Sequence, residues 1–394
     1  MKITQIKDVV KSAMSQALGE SYYSVGDGNI SPIEAYNVVD VGKDILDVTH
    51  TADAFTGALA DMVGKIVIDS REDVGSMPWI YVDSLEWGAY LERVRADLAD
   101  IYDDPKWGLE NGKSYADIEH TFYQPKIKAK MYTDAKSRSV RISITQDQIR
   151  TAFLSEQQMA SFVTAIEVQI RNTLKLAYEC TVYIAINAMI ARTCKISGHE
   201  VPLLTNYNTA HNTQLSVDEA LNDSNFLTYV AKTISMYRDW FADMTTAFND
   251  GTIPTFCSKE NSRLVLLSNL EKAIKFDVKA STYNDDLIGV GEFETVSKWQ
   301  AFKQSAKDDF SFETISQIKI AADADNTLGL GTSEYTISNV VGVLFDRMAC
   351  GVTQFDAGVT KSYTASADFM TFFHHRLDRY LVDSSYSSVV FTLN

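Results

Sequence analysis

Two adjacent histidines, His374 and His375, come nearest to a metal-binding or proton-transferring pair. Neighbours on a strand point to opposite faces, and on a helix they diverge by about 100°, so these two imidazoles do not converge on one ion. The remaining histidines, His50, His120, His199 and His211, show neither HExxH nor HxH spacing. "GVGEFE" from Gly289 and "GLGTSE" from Gly329 each offer two of the three glycines that aim backbone amides at a pyrophosphate, without the strand, tight turn and helix that such a loop needs. No lysine follows a glycine loop in Walker fashion, and no GxSxG elbow is present. The acid pairs Asp103/Asp104, Asp285/Asp286 and Asp308/Asp309 lack the ligand spacing of a calcium loop and read as solvated turns. Cys180, Cys194, Cys257 and Cys350 lie far apart without a CxxC and read as buried or idle thiols of a reducing interior. The expectation is a protein without catalytic, cofactor-binding or metal residues, not an enzyme.

Composition narrows the partners. The 394 residues carry a formal charge of −16, with 45% hydrophobic and 22% charged residues, ordinary values for a folded protein. A phosphate backbone is bound through Lys and Arg, so any nucleic-acid contact is expected to be local and weak. Against this background one basic feature stands out. In "QPKIKAKMY" Lys126, Lys128 and Lys130 alternate with Ile127, Ala129 and Met131, and in "SVRISIT" Val140, Ile142 and Ile144 share a face. Joined through "TDAKSR", the two segments read as a hairpin with a basic side completed by Arg138 and Arg141. An isolated hairpin is marginal in water, so this one needs another surface, and its basic side reads as an intersubunit face that meets acidic residues of a neighbour.

The elements around it follow from periodicity. "LERVRADLADI" fits strand and helix spacing equally. Thr145 and Gln148 stand at capping-box spacing, and from Gln146 to about Thr193 no glycine or proline interrupts. Ile166, Ile170, Leu174, Ala177, Thr181, Ile184 and Ala188 continue an apolar stripe, with Glu167, Arg171, Lys175 and Glu179 as a charge ladder beside it. The result is a rod of about 60 to 70 Å, with a possible break at Ser155, too irregular in heptads for a coiled coil. After Gly198 a mixed region follows: polar loops "NYNTAHNTQ" and "DGTIP", a helix in "NFLTYVAKTISMYRDWFADM", strands in "RLVLLSN" and "VVGVLFDRM", and a helix opened by a box at Ser268 and Glu271. The aromatic tail ends in a strand. No run of about 18 apolar residues appears and the start is amphipathic, so neither a membrane span nor a classical export signal is expected.

This order of elements resembles a tailed-bacteriophage major capsid protein of the Hong Kong 97-type fold, and "TAFLSEQQMASFVTAI" is most similar to the major head protein of phi-twenty-nine-like short-tailed phages. The resemblance implies an α+β subunit with an N-terminal arm and start of a peripheral (P) domain (1–76), an extended β-hairpin loop with flanking strands (77–145), a long spine helix (146–197), an axial (A) domain (198–345) and C-terminal P-domain strands (346–394). It implies assembly as hexamers and pentamers of an icosahedral shell that encloses double-stranded DNA without sequence-specific binding, in the virion, with a portal protein. No counterpart of the family's immunoglobulin-like C-terminal domain or of a scaffold-like N-terminal helical domain is visible, so a separate scaffolding protein is expected. An encapsulin-like cellular nanocompartment shell has the same fold, and an intracellular α/β enzyme is the reading from another class.

Overall fold

Alternating and continuous apolar runs mark the strands. The computed structural model describes residues 156–251, 253–275, 293–300, 311–321, 333–364 and 369–394, together with residues 80, 91–96, 126–132, 135–145 and shorter pieces between 98 and 148. Its strands are β1 (Leu91–Ala96), β2 (Ile127–Tyr132), β3 (Ala135–Thr145), β4 (Glu200–Pro202), β5 (Ser262–Leu267), β6 (Glu294–Val296), β7 (Ile318–Ile320), β8 (Tyr335–Ile337), β9 (Val340–Asp346), β10 (Cys350–Thr364), β11 (Phe369–Val382) and β12 (Ser388–Thr392). The helices are α1 (Glu156–Lys195), α2 (Leu203–His211), α3 (Val217–Ala220), α4 (Ser224–Trp240), α5 (Ser268–Ala273) and α6 (Phe312–Ile315). The expected arm, both glycine-pair loops and most of the acid pairs lie outside the described residues.

Two compact units divide the chain. One contains Gly88–Asp134, Val182–Val352 and Tyr380–Asn394. Its centre is a five-stranded sheet in the order β4-β12-β9-β5-β6. The strands "VVGVLFD" and "SVVFT" are buried at every position, as expected of strands covered on both faces. Leu264, Leu266, Val341, Leu344, Val389 and Phe391 pack with Phe226, Leu227 and Val230 of α4 and with Leu203, Leu204 and Tyr207 of α2. A Cβ on Gly342 would stand 2.7 Å from Leu266 Cδ2, so any larger residue there has to displace that buried leucine.

The other unit contains Ala135–Thr181 and Thr353–Arg379. Its sheet runs β10-β11-β3, and β3 pairs antiparallel with β11 from Ala135↔Arg379 to Thr145↔Phe369. At the end of β3 the Thr145 hydroxyl accepts from the Gln148 amide at 3.3 Å while the Gln148 side chain accepts from the Thr145 amide at 3.1 Å, the reciprocal bonds of the expected capping box. Helix α1 runs 40 residues from Glu156, about 60 Å at 1.5 Å per residue. Ile166, Ile170, Thr181 and Ala188 of the expected stripe are buried. By length and composition alone Thr164–Lys195 meets the criterion for a membrane span, contrary to the sequence reading, but over half of its most apolar 18-residue window is buried inside the protein.

Three expectations are corrected. β2 and β3 do not form a hairpin with each other: β2 pairs with β1, and β3 with β11. "NYNTAH" is helical, because Leu203, Leu204 and Tyr207 of α2 gain burial that outweighs the weak helix propensity of Asn and Thr. Helix α2 stops where Asn212 takes a left-handed conformation, φ 52°. Ser268 does not cap α5; Glu271 instead faces Lys275 at 2.5 Å. Asp223 does cap α4, its carboxylate accepting from the Asn225 and Phe226 amides. Asp223→Ala is therefore expected to destabilise the protein by about 1 kcal/mol, and Ser268→Ala by less than about 0.5 kcal/mol, in urea-unfolding midpoints; equal losses would remove the distinction.

Candidate intersubunit surface

β1 (LERVRA) and β2 (IKAKMY) form an antiparallel ribbon in which Arg93 stands opposite Lys130, Arg95 opposite Lys128 and Leu91 opposite Tyr132. Directly opposed residues share a face, and successive residues alternate. One face therefore carries Arg93, Arg95, Lys128, Lys130 and Tyr132, the other Val94, Ala96, Ile127, Ala129 and Met131.

The cationic face meets the turn 383–386. Asp383 is its centre, with a side chain only 2% exposed. Lys130 Nζ lies 2.9 Å from Asp383 Oδ1, the Tyr132 hydroxyl donates to Oδ2, and Arg93 stands 3.9 Å from Oδ2. The Ser385 amide and hydroxyl donate to Oδ1 at 3.2 and 2.8 Å, an Asx-turn that fixes the carboxylate on its own backbone. Arg93 also donates to the Met348 carbonyl, and Arg95 to the Ser385 carbonyl and hydroxyl, both at 2.9 Å. The Tyr386 ring lies under both guanidinium groups, 4.4 Å from Arg95 and 5.3 Å from Arg93. Burial by itself raises the Asp383 carboxyl, but the Tyr132 and Lys130 hydrogen bonds more than reverse it and hold it at about 2. The phenol of Tyr132 moves the other way, pushed far up by burial and by the Asp383 charge. Asp346, on the same unit, is raised because its burial is not offset as fully.

The apolar face points to solvent. Val94, Ile127 and Met131 are 64%, 63% and 62% exposed. Between the two strands the chain carries further exposed apolar side chains, Ile101, Tyr102, Trp107, Ile118, Phe122 and Tyr123, with Trp107 at 84% and Phe122 at 83%.

The five basic residues singled out by sequence are not brought together. Lys126, Lys128 and Lys130 belong to the ribbon segment, and Lys130 is bound to Asp383. Arg138 and Arg141 belong to β3, three residues apart and so on opposite faces. Arg138 stands opposite Arg376, whose guanidinium is neutralised by Asp378 at 2.7 Å, while Arg141 lies over the Phe373 ring at 5.7 Å. Arg93, Arg95, Asp383 and Tyr386 were not anticipated. The alternating charges of "LERVRA" and the Asx-turn spelling "DSS" were available signals, but nothing in the sequence joins positions some 290 residues apart. His374 and His375 occupy opposite faces of β11, the first buried and the second exposed, as the spacing requires. No cluster of potential metal ligands occurs among the described residues.

This chain, with its long helix and a two-stranded ribbon presenting apolar residues outward, has the fold of tailed-phage capsid proteins. Chains in the capsid structure of Staphylococcus phage Andhra (TM-score 0.51, 10% identity, covering 82% of this chain and 85% of that one) and in the structure of the head fiber and inner core protein gp22 of native bacteriophage P68 (TM-score 0.51, 11% identity, 80% and 84%) share it. None of the curated proteins matches the chain significantly. Residues 12–392 match the Phi29-like phage major capsid protein family, and the chain belongs to that family. It is a structural component of the virion head, built from many copies, and not an enzyme. Membership decides for the phage head over the cellular nanocompartment.

Because its folded pKa is depressed, Asp383 adds stability that is complete above about pH 4 and is lost as the pH falls toward 2. The difference in thermal stability between the wild type and Asp383→Asn is therefore expected to be full at pH 7 and to shrink between pH 4 and 2.5. A difference that stays constant over this range would contradict the assignment.

Proposed function

We propose that the exposed side of the β1–β2 ribbon, with the chain between its strands, is where one copy engages the next in the hexamers and pentamers of the icosahedral head. The observation that carries this reading is the outward apolar face with Trp107 and Phe122 beyond it. Such a surface costs free energy in water unless another chain covers it. In a closed symmetric shell each copy offers and receives the same contact, so modest contacts repeated around the ring suffice. Residues 77–145 then form the extended loop, 146–197 the spine, 198–345 the axial domain and 346–394 the peripheral strands, with β12 returning to the sheet of β9 and β5. Lys126 and Lys128, both exposed, steer the approach to an acidic neighbour, while Lys130 acts from within its own subunit and Arg138 and Arg141, on opposite faces of β3, share no such role. With a net charge of −16, the shell encloses double-stranded DNA without binding its sequence. A separate scaffolding protein sets the size of the shell and a portal protein occupies one vertex.

The test is co-expression with the neighbouring scaffold gene and negative-stain electron microscopy. Trp107→Ser with Phe122→Ser, and separately Lys126→Glu with Lys128→Glu, are expected to cut the yield of closed shells about tenfold or more while leaving the circular dichroism unchanged, since surface substitutions seldom unfold a domain. Wild-type yields from the aromatic pair would discard the docking role of the loop, and from the lysine pair the steering role.

A further inference from the structure

A two-stranded ribbon laid on a protein body normally buries its apolar face and leaves its charges in water, because apolar burial is favourable and charge desolvation is not. Here the order is inverted. Arg93, Arg95, Lys130 and Tyr132 face the body, and Val94, Ile127 and Met131 face solvent. Some interaction within the unit must favour the inverted pose enough to offset both costs. The half-buried Tyr386 ring and the Ser385 and Met348 carbonyls hold Arg93 and Arg95, but these are neutral partners available to many basic side chains. The carboxylate of Asp383 differs, since it is buried, charged, and has both oxygens filled by ribbon side chains and its own turn.

We propose that Asp383 is the positioning residue that selects which face of the β1–β2 ribbon meets its own subunit, so that the apolar face is presented before any neighbour is there to cover it. The turn that carries Asp383 is itself held by the sheet unit. The Asp383 amide donates to the Ala349 carbonyl at 2.8 Å, the Asp250 amide to the Ser384 carbonyl at 2.9 Å, and the Asp346 amide to the Ser387 carbonyl at 2.9 Å. Asp383 thus ties the two-stranded ribbon to the part of the unit that carries the five-stranded sheet and its core. A neutral residue of the same size leaves Lys130 without its ion-pair partner and Arg93 with only the Asp346 charge beside it, and the favoured response is for the ribbon to leave or turn over. The proposal concerns the free subunit, and it deepens the docking reading above by naming what aims that surface.

The experiment is hydrogen exchange, read by mass spectrometry, on the full-length chain kept dilute enough to stay unassembled. In Asp383→Asn the amides of 91–96 and 127–132 are expected to exchange about tenfold faster, while those of β5, β9 and β12 keep wild-type rates, because local opening need not involve the core. Wild-type exchange in the ribbon overturns the proposal. Should the core also lose protection in that variant, the ribbon-side double variant Lys130→Met with Tyr132→Phe decides, since it leaves the turn intact. It too is expected to open the ribbon alone, and wild-type exchange there overturns the proposal. Combining the two variants is expected to add less than about twofold to either, as partners in one network are not additive. Full additivity would show that Asp383 acts elsewhere than on the ribbon and would equally overturn the assignment. Shell formation is scored in parallel on Trp107→Ser with Phe122→Ser. Normal shells from that variant sink the docking reading and leave the positioning of the ribbon to stand on exchange alone.

Discussion

A buried carboxylate is tolerable only when its oxygens are filled, and the arrangement around Asp383 follows from that constraint. Three side chains of the ribbon and the turn's own serine fill them. To bring these groups together the chain must place residues 383–387 at a fixed point, and it does so by running β12 through the middle of the five-stranded sheet, between β4 and β9. The hydrogen bonds from Asp346 and Asp250 to the turn carry that rigidity outward from the core. Core, turn and ribbon therefore form one chain of dependence, in which apolar burial positions a charge and the charge positions the ribbon.

The same economy governs the three-stranded sheet of the other unit. Arg138 and Arg376 face each other across β3 and β11, a like-charge pair that is unfavourable by itself. Asp378, fully buried, lies 2.7 Å from Arg376, and the Tyr178 ring lies 5.1 Å from the same guanidinium. Thr181 of α1 donates to the Ala177 carbonyl at 3.2 Å, and its hydroxyl oxygen lies 3.5 Å from Asp378, so α1 sets a polar group beside a charge on the sheet.

Face was legible in the sequence and partner was not. The period of two in "IKAKMY" and "RISIT" states which residues share a side, and the structure keeps those sets intact on β2 and β3. It cannot state which strand lies alongside, and short separation made β3 the natural guess for β2. The true pairing needed "LERVRA", whose pattern also fits a helix, across 30 residues of intervening chain. The long helix was readable because the apolar stripe of α1 repeats many times, and the Thr145–Gln148 box because it is purely local. Helix α2 was not, since Asn and Thr favour turns intrinsically and only the burial of Leu203, Leu204 and Tyr207 against α4 decides the matter. The interaction of Asp383 with Arg93 lay beyond any local signal.

An enzyme leaves compact motifs because reacting atoms demand a few residue types at fixed spacing, whereas a shell protein is selected for surfaces. Surfaces are spread over elements distant in sequence and tolerate exchange of one apolar residue for another, so the family shows itself in the order of elements more than in any motif. The solved capsid chains share this fold at only 10% and 11% identity, consistent with constraint on shape and not on particular side chains. What such a protein cannot exchange freely is the handful of buried charges that decide which face of a thin element looks inward. An apolar residue misplaced by substitution weakens one contact, but a reversed ribbon removes every contact on that edge from every copy in the ring.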